Sequence, residues 1–202
     1  MIVRGFSLRV GMALFAFLAI GLSACLTEDA PKLSPGDLST PRNFAGAYFA
    51  TRFPADAAEG PDTIQATVER TVDRSFLLTF IEPDRKDAPV RVQLIGLNPD
   101  TLIAVMTEPG SSPDAMLGLV TPASDGAWVF RTVELKPDAR DRVLKDALMR
   151  HGASGVTFDR SEVQHDQIQG QLSAANLRML FSDHDFLNAI DTAKGFRLSP
   201  AP

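Results

Sequence analysis

The side chains best suited to chemistry in this chain of 202 residues are three histidines and a single cysteine. The histidines, His151, His165 and His184, are far apart in sequence. None belongs to an H-x-x-H or H-E-x-x-H pair that would hold a metal ion from one face of a helix. We therefore predict that His165 is a surface residue and that His151 ends a helix, where a positive charge suits the helix dipole.

The most compact polar group is Asp183-His184-Asp185. It could be a metal site or a proton relay, or it could be a capped helix junction with the imidazole in solvent, and we favour the junction. Sequence supplies no geometry for the carboxylates Glu134 and Asp138, so a glycosidase is unsupported. No serine lies in a G-x-S-x-G elbow, and no glycine-rich phosphate loop is present. The sequence thus predicts no catalytic residue, no cofactor site and no metal site.

Cys25 closes a segment that has the three parts of a secretory signal peptide: a cationic start, an apolar run and small residues near the cleavage site. Arg4 and Arg9 are the only charged residues among the first 25, and residues 10–22 contain no polar side chain. A membrane-spanning helix needs about 20 apolar residues, and this run is shorter. The alternative is an uncleaved membrane anchor with an incidental cysteine.

The apolar run ends in Leu22-Ser23-Ala24-Cys25. This segment resembles the lipobox of bacterial lipoprotein precursors, in which an aliphatic residue and two small residues precede a cysteine. The resemblance implies that the Cys25 thiol receives a diacylglyceryl group, that a signal peptidase cuts before Cys25 and that the new amine is acylated. Residues 1–24 would be the signal peptide and residues 25–202 the mature chain. The resemblance ends at Cys25 and says nothing about the rest of the chain.

The net charge favours a lipid anchor over electrostatic membrane binding. The formal net charge is -5, and losing Arg4 and Arg9 from the 20 basic side chains leaves 18 against 25 acidic ones, or about -7. Such a chain gains nothing from anionic head groups and lacks the basic surface of a nucleic-acid binder. Each buried methylene contributes about 0.8 kcal/mol, so two or three acyl chains on Cys25 would hold the protein durably.

Residues 25–43 are predicted to be the lipidated N-terminus and a flexible tether. They contain Pro31, Pro35 and Pro41 and few apolar side chains, a composition that cannot bury enough surface to order itself. The tether would span about 25 Å as a coil and about 55 Å as extended polyproline. A strand or loop packed on the domain is the alternative. In the lipoprotein family an aspartate after the cysteine favours the inner membrane. Leu26 stands there, so the resemblance favours the outer membrane, facing the periplasm.

Residues 44–202 are predicted to form one domain rich in strands. Thr63–Arg70 alternates, with Ile64, Ala66 and Val68 on one face and mostly polar residues on the other, which is typical of a half-buried strand. Similar patterns and turn residues predict strands over 44–49, 75–82, 90–97, 101–107, 116–121, 127–135, 155–159 and 196–198. Helical spacing predicts helices over 138–151, 174–181 and 186–194, with Ser173 capping the second and Asp183 or Asp185 the third.

These elements predict an α+β fold: an antiparallel β-meander of about six to eight strands with two or three C-terminal helices. Strands that are apolar on both faces, such as Thr101–Thr107, indicate that helices cover one face of the sheet. Sequence does not decide whether the sheet is cupped or partly closed into a barrel. The composition, 45% hydrophobic and 22% charged, excludes a collagen-like repeat, a multispanning membrane protein and a wholly disordered chain.

The aromatic residues Tyr48, Phe76, Phe80, Trp128 and Phe130 lie on predicted strands, where core packing is favoured over a ligand cavity. The sequence therefore predicts a lipid-anchored protein of the bacterial cell envelope, held to the membrane through palmitate-type acyl chains, whose domain is a non-catalytic binding or scaffolding module. The alternative is a lipid or small-molecule carrier that uses a cavity in the sheet. An envelope hydrolase is a third possibility.

Overall fold

The computed structural model describes residues 27–31, 33–53, 63–82, 85–107, 114–136, 142–157 and 167–202. The strands in this part of the chain are β1 Thr27–Asp29, β2 Gly46–Phe53, β3 Thr63–Arg70, β4 Phe76–Glu82, β5 Arg85–Lys86, β6 Val90–Asn98, β7 Thr101–Thr107, β8 Asp114–Pro122, β9 Trp128–Thr132, β10 Glu134–Leu135, β11 Gly155–Thr157, β12 Gln167–Gln169, β13 Ile190–Asp191 and β14 Gly195–Pro200. The helices are α1 Arg142–Arg150, α2 Ala174–Leu180 and α3 His184–Ala189, with a 3-10 turn at Pro35–Asp37.

Eight antiparallel strands form a closed barrel in the order β8, β7, β6, β4, β3, β2, β14, β9 and back to β8. The last strand closes it, because Leu198 of β14 lies opposite Ala50 of β2 on one side and Trp128 of β9 on the other. The α+β class, the antiparallel strands and the C-terminal helices agree with the sequence prediction. Closure, which the sequence left undecided, is complete. The strand order also departs from the predicted meander, because β14 inserts between β2 and β9, which are both distant from it in sequence.

The even-numbered side chains of the barrel strands point inwards, because successive residues of a strand face opposite sides of the sheet. Ala66 and Val68 of β3, for example, lie opposite Phe80 and Leu78 of β4. Together with Phe44 they form one buried cluster: Tyr48, Ala50, Ala66, Val68, Phe76, Leu78, Phe80, Val90, Val92, Leu94, Ala104, Met106, Val120, Trp128, Phe130 and Leu198. The barrel is therefore filled by a layer of interior side chains.

A second core covers the outer face of β7 and β8. Ile103 and Val105 of β7 and Leu117 of β8 point outwards and are fully buried. They share one cluster with Leu144 of α1 and Phe186 of α3. The helices thus cover one side of the barrel, as the two-sided apolar pattern of Thr101–Thr107 predicted.

The edge of β8 is shared by two strands. Its second half pairs with β9, from Gly118 opposite Thr132 to Pro122 opposite Trp128, and this pairing completes the barrel. Its first half pairs with β1, which continues through a parallel pairing with β12 and then β11. β1, β12 and β11 therefore form a short extension of the sheet on the outside of the barrel.

The helix boundaries depend on their caps. The Ser173 side chain accepts a hydrogen bond from the Asn176 N–H at the start of α2, as predicted. The predicted helix over 186–194 was wrong in its bounds. α3 begins two residues earlier, at His184, with Asp183 as its N-cap, and Ile190 leaves the helix to pair with Leu135. Among the described residues, no helix is both long and apolar enough to cross a membrane.

Candidate functional site

The predicted lipid attachment site adjoins the sheet extension. Cys25 lies outside the described residues, but β1 begins only two residues later, at Thr27. Thr27 lies opposite Met116 of β8 on one side and Gln167 of β12 on the other. From Thr27 onwards, the backbone is thus hydrogen-bonded into the sheet between two strands.

Residues 33–43 continue along the surface of the domain. Leu38 is buried in the outer core, and the Ser39 N–H donates to the Leu94 carbonyl at 2.8 Å. Two arginines hold the turn between them: Arg74 donates to the Pro35 carbonyl at 2.9 Å, and Arg178 donates to that of Asp37 at 3.4 Å. In its described part, the segment predicted to be a flexible tether is packed on the domain, which is the alternative considered from sequence.

Phe44 closes the upper end of the barrel, defined as the end that holds the starts of β2 and β9. Its side chain is 1% exposed. Its ring centroid lies 4.7 Å from that of Phe76, 5.1 Å from that of Trp128 and 5.8 Å from that of Phe130, mostly in the edge-to-face arrangement that aromatic pairs prefer. Sequence predicted Phe44 only as part of a strand, yet it precedes β2 and fills the barrel end.

The polar atoms of the upper aromatic residues are satisfied by one loop. The Tyr48 hydroxyl donates to the carbonyl oxygens of Asn43 at 2.8 Å and Phe44 at 3.0 Å. Trp128 Nε1 donates to the same Asn43 oxygen at 3.1 Å. Burial raises the pKa of Tyr48, with its contact to Trp128 acting weakly in the other direction, so the hydroxyl stays protonated and keeps donating.

At the lower end of the barrel, Phe196 of β14 stacks on Phe130 at 4.6 Å and meets the edge of Phe80 at 5.6 Å. Phe196 is only partly buried, as are three other interior residues, Ile64, Leu102 and Met116. All five aromatic residues that sequence selected therefore belong to one interior cluster. Their mutual packing is the core arrangement that sequence favoured.

The structure brings together two of the groups that sequence treated separately. His151 follows α1, and its Nε2 lies 2.6 Å from Oδ2 of Asp183. Arg150 donates to the same oxygen at 3.1 Å and to Asp185 at 3.0 Å. Oδ1 of Asp183 accepts the N–H groups of Asp185 and Phe186, so this carboxylate both caps α3 and joins it to α1. The pairing crosses 32 residues of sequence, which no local pattern signals.

The remaining histidines and carboxylates are placed differently. His184 is exposed, with Nε2 3.0 Å from the Asn188 amide nitrogen one turn along α3. His165 and Asp138 lie outside the described residues. Glu134 does not meet a second carboxylate in a cleft; its Oε2 accepts a 2.9 Å hydrogen bond from Lys194. Within the described ranges, no three His, Cys, Asp or Glu side chains are close enough to bind a metal ion together.

The hydrogen bonds of Asp183 determine its charge state. Burial raises the pKa of this carboxyl, but the hydrogen bond with His151, the two backbone N–H donors and the charge of Arg150 outweigh burial and lower the pKa. A carboxyl with a lowered pKa in the folded state stabilises the protein above the unfolded pKa of about 3.9, and this stabilisation is lost as the pH falls below it.

Replacing Asp183 separates capping from charge. Asp183→Ala should lower the free energy of unfolding at pH 7 by about 2 kcal/mol, since it removes both the cap and the charged partner. Asp183→Asn keeps a capping oxygen and should cost about half as much. Urea denaturation at pH 7 and at pH 3 measures both variants. The deficit of Asp183→Asn should shrink at pH 3, and an unchanged deficit would contradict the role of the charge.

The chain was also compared with known proteins. No family model, curated protein or solved structure matches it. Its function therefore has to be argued from its own residues.

Proposed function

We propose that this chain is a lipid-anchored protein of the bacterial cell envelope, with Cys25 as the acylated residue, and that its domain is a non-catalytic binding or scaffolding module. The observation that carries the proposal is Leu22-Ser23-Ala24-Cys25 at the end of an apolar run that follows Arg4 and Arg9. The chain's single cysteine falls at this position. By the same resemblance the protein resides at the outer membrane and faces the periplasm.

The proposal of a non-catalytic domain is supported by how the domain uses its most reactive side chains. His151 and Asp183 are committed to joining α1 and α3, and Asp183 uses both oxygens to do so. The helical side also exposes Met149, Met179 and Leu187, each more than 40% accessible. Exposed apolar side chains of this kind suit a surface that contacts another protein.

A carrier is the second candidate, and the closed barrel is the observation that favours it. Eight strands enclose an interior that side chains can fill or that can hold one small ligand. Here the interior is packed, and four of its side chains are only partly buried: Ile64, Leu102, Met116 and Phe196. Titration with a fluorescent fatty acid tests this candidate: saturable binding that Phe196→Ala alters several-fold favours a carrier, and no binding favours the scaffold.

The anchor is tested by replacing Cys25. In a bacterial host fed labelled palmitate, the parent chain should incorporate label and lose residues 1–24. Cys25→Ser should take up no label and should keep its precursor length, because serine lacks the thiol that forms the thioether. Mass spectrometry and autoradiography of the purified protein measure both results.

A matched control moves the thiol by one residue. The double variant Cys25→Ser with Leu26→Cys keeps one cysteine, but Ser23 rather than Leu22 then stands three residues before it. It should behave like Cys25→Ser. Palmitate in either variant would refute acylation at Cys25.

A further inference from the structure

We propose that the lipid on Cys25 fixes the barrel against the membrane in one orientation, with the sheet extension β1–β12–β11 next to the bilayer and β3 directed away from it. The inference rests on the proposed acylation of Cys25 and adds to it an interaction surface and a partner, the lipid surface itself. Three features of the structure carry it: the length of chain after Cys25, the way β1 is held, and the position of β1 on the barrel.

The chain between the lipid and the sheet is short. Cys25 precedes the first residue of β1, Thr27, by two positions. Two residues span at most about 7 Å even when fully extended. With the length of the cysteine side chain added, the acylated sulfur therefore stays within about 10 Å of Thr27. A flexible tether of residues 25–43 would instead let the domain move about 25 Å from the bilayer.

β1, the strand that follows the lipidated residue, is hydrogen-bonded on both edges. β1 pairs antiparallel with β8 and parallel with β12, so it is an inner strand of the extension and not a free edge. After β1 the chain is fixed again, by the buried Leu38 and by the hydrogen bond from Ser39 to Leu94. The lipidated residue is thus connected to the barrel through paired strands rather than through a mobile segment.

The barrel order defines the two sides. Thr27 lies opposite Gln167, which in turn lies opposite Thr157, so Thr157 is two strands from Thr27, or about 10 Å. β1 joins the barrel at β8, and β3 is the fourth strand from β8 in either direction round the eight. The exposed residue Gln65 on β3 is therefore on the opposite wall.

Two single-cysteine reporters test the orientation in the full lipidated protein. Thr157→Cys and Gln65→Cys each add one thiol to a chain whose own cysteine is acylated, and both replace exposed side chains. Each thiol is labelled with an environment-sensitive dye after reconstitution into phosphatidylethanolamine–phosphatidylglycerol vesicles that contain a head-group nitroxide quencher. Quenching should be several-fold stronger at residue 157 than at residue 65.

A spacer variant supplies the matched control. Ten glycine and serine residues inserted between Leu26 and Thr27 leave the lipid in place but lengthen the connection by about 17 Å as a coil. The difference between the two reporters should then largely disappear. Equal quenching in the parent protein, or a difference that survives the spacer, would overturn the proposal.

Palmitate content, measured on each sample by mass spectrometry, distinguishes the two levels of the argument. Lipid present with no preferred orientation overturns the orientation alone. Absence of lipid from the parent chain overturns the proposed function, and the orientation falls with it.

Discussion

Phe44→Ala should lower the free energy of unfolding by about 3–5 kcal/mol, the usual cost of emptying a fully buried phenylalanine site. Phe44 is 1% exposed and contacts Phe76, Trp128 and Phe130 at the upper end of the barrel. Its carbonyl oxygen also accepts a hydrogen bond from the Tyr48 hydroxyl, so a shift of residue 44 disturbs a buried hydrogen bond. Urea denaturation measures the loss of stability when it is followed by the fluorescence of Trp128, whose ring contacts Phe44.

The matched control is Phe49→Ala. Phe49 is also a phenylalanine near the start of β2, but its position is odd-numbered, so it faces outwards and is only partly buried. We expect a loss of about 1 kcal/mol there, since less apolar surface returns to water. Phe44→Leu should fall between the two. Similar losses for Phe44→Ala and Phe49→Ala would show that Phe44 does not close the barrel.

The strands could be predicted because alternation is a local signal. Thr63–Arg70 and Thr101–Thr107 have the bounds that their sequence patterns predict. The two-sided apolar pattern of Thr101–Thr107 also predicted the covering helices, since Ala104 faces the barrel and Ile103 faces the outer core. Each of these predictions depends on residues within one strand.

Barrel closure could not be predicted because it depends on pairing between distant segments. Residues 196–198 were recognised as a short strand, but nothing in their pattern names β2, almost 150 residues earlier, as a partner. Which strands become neighbours in a sheet depends on the whole set of strands. The local pattern does not reveal this, because a strand that is one residue pair longer or shorter shows the same alternation.

The segment before the barrel shows how one apolar residue changes the outcome. Residues 25–43 have the composition of a coil, which led to the prediction of a tether. Leu38 is nevertheless buried, and backbone hydrogen bonds place β1 within the sheet.

The cap at Asp183 was among the predicted alternatives because capping is local, whereas its contact with His151 joins two helices and has no sequence signature.

The seam at which β14 closes the barrel leaves no space for a side chain at residue 195. Gly195 pairs with Arg131 of β9. A Cβ there would overlap the carbonyl oxygen of Phe130 and lie 2.9 Å from its carbonyl carbon. Both atoms belong to the backbone, so a rotamer change cannot relieve the overlap, and β14 would have to move away from β9.

Gly195→Ala should therefore cost about 3 kcal/mol or more, at the upper end of overpacking penalties, because the strain falls on the strand that closes the barrel. Gly36→Ala is the control, since the nearest atom to a Cβ there is Ser34 Oγ at 3.7 Å, an ordinary contact. It should change the free energy of unfolding by less than about 1 kcal/mol. Thermal and urea denaturation of both variants test the pair. Equal stability of Gly195→Ala and Gly36→Ala would mean that β14 does not pack against β9 as closely as the barrel requires.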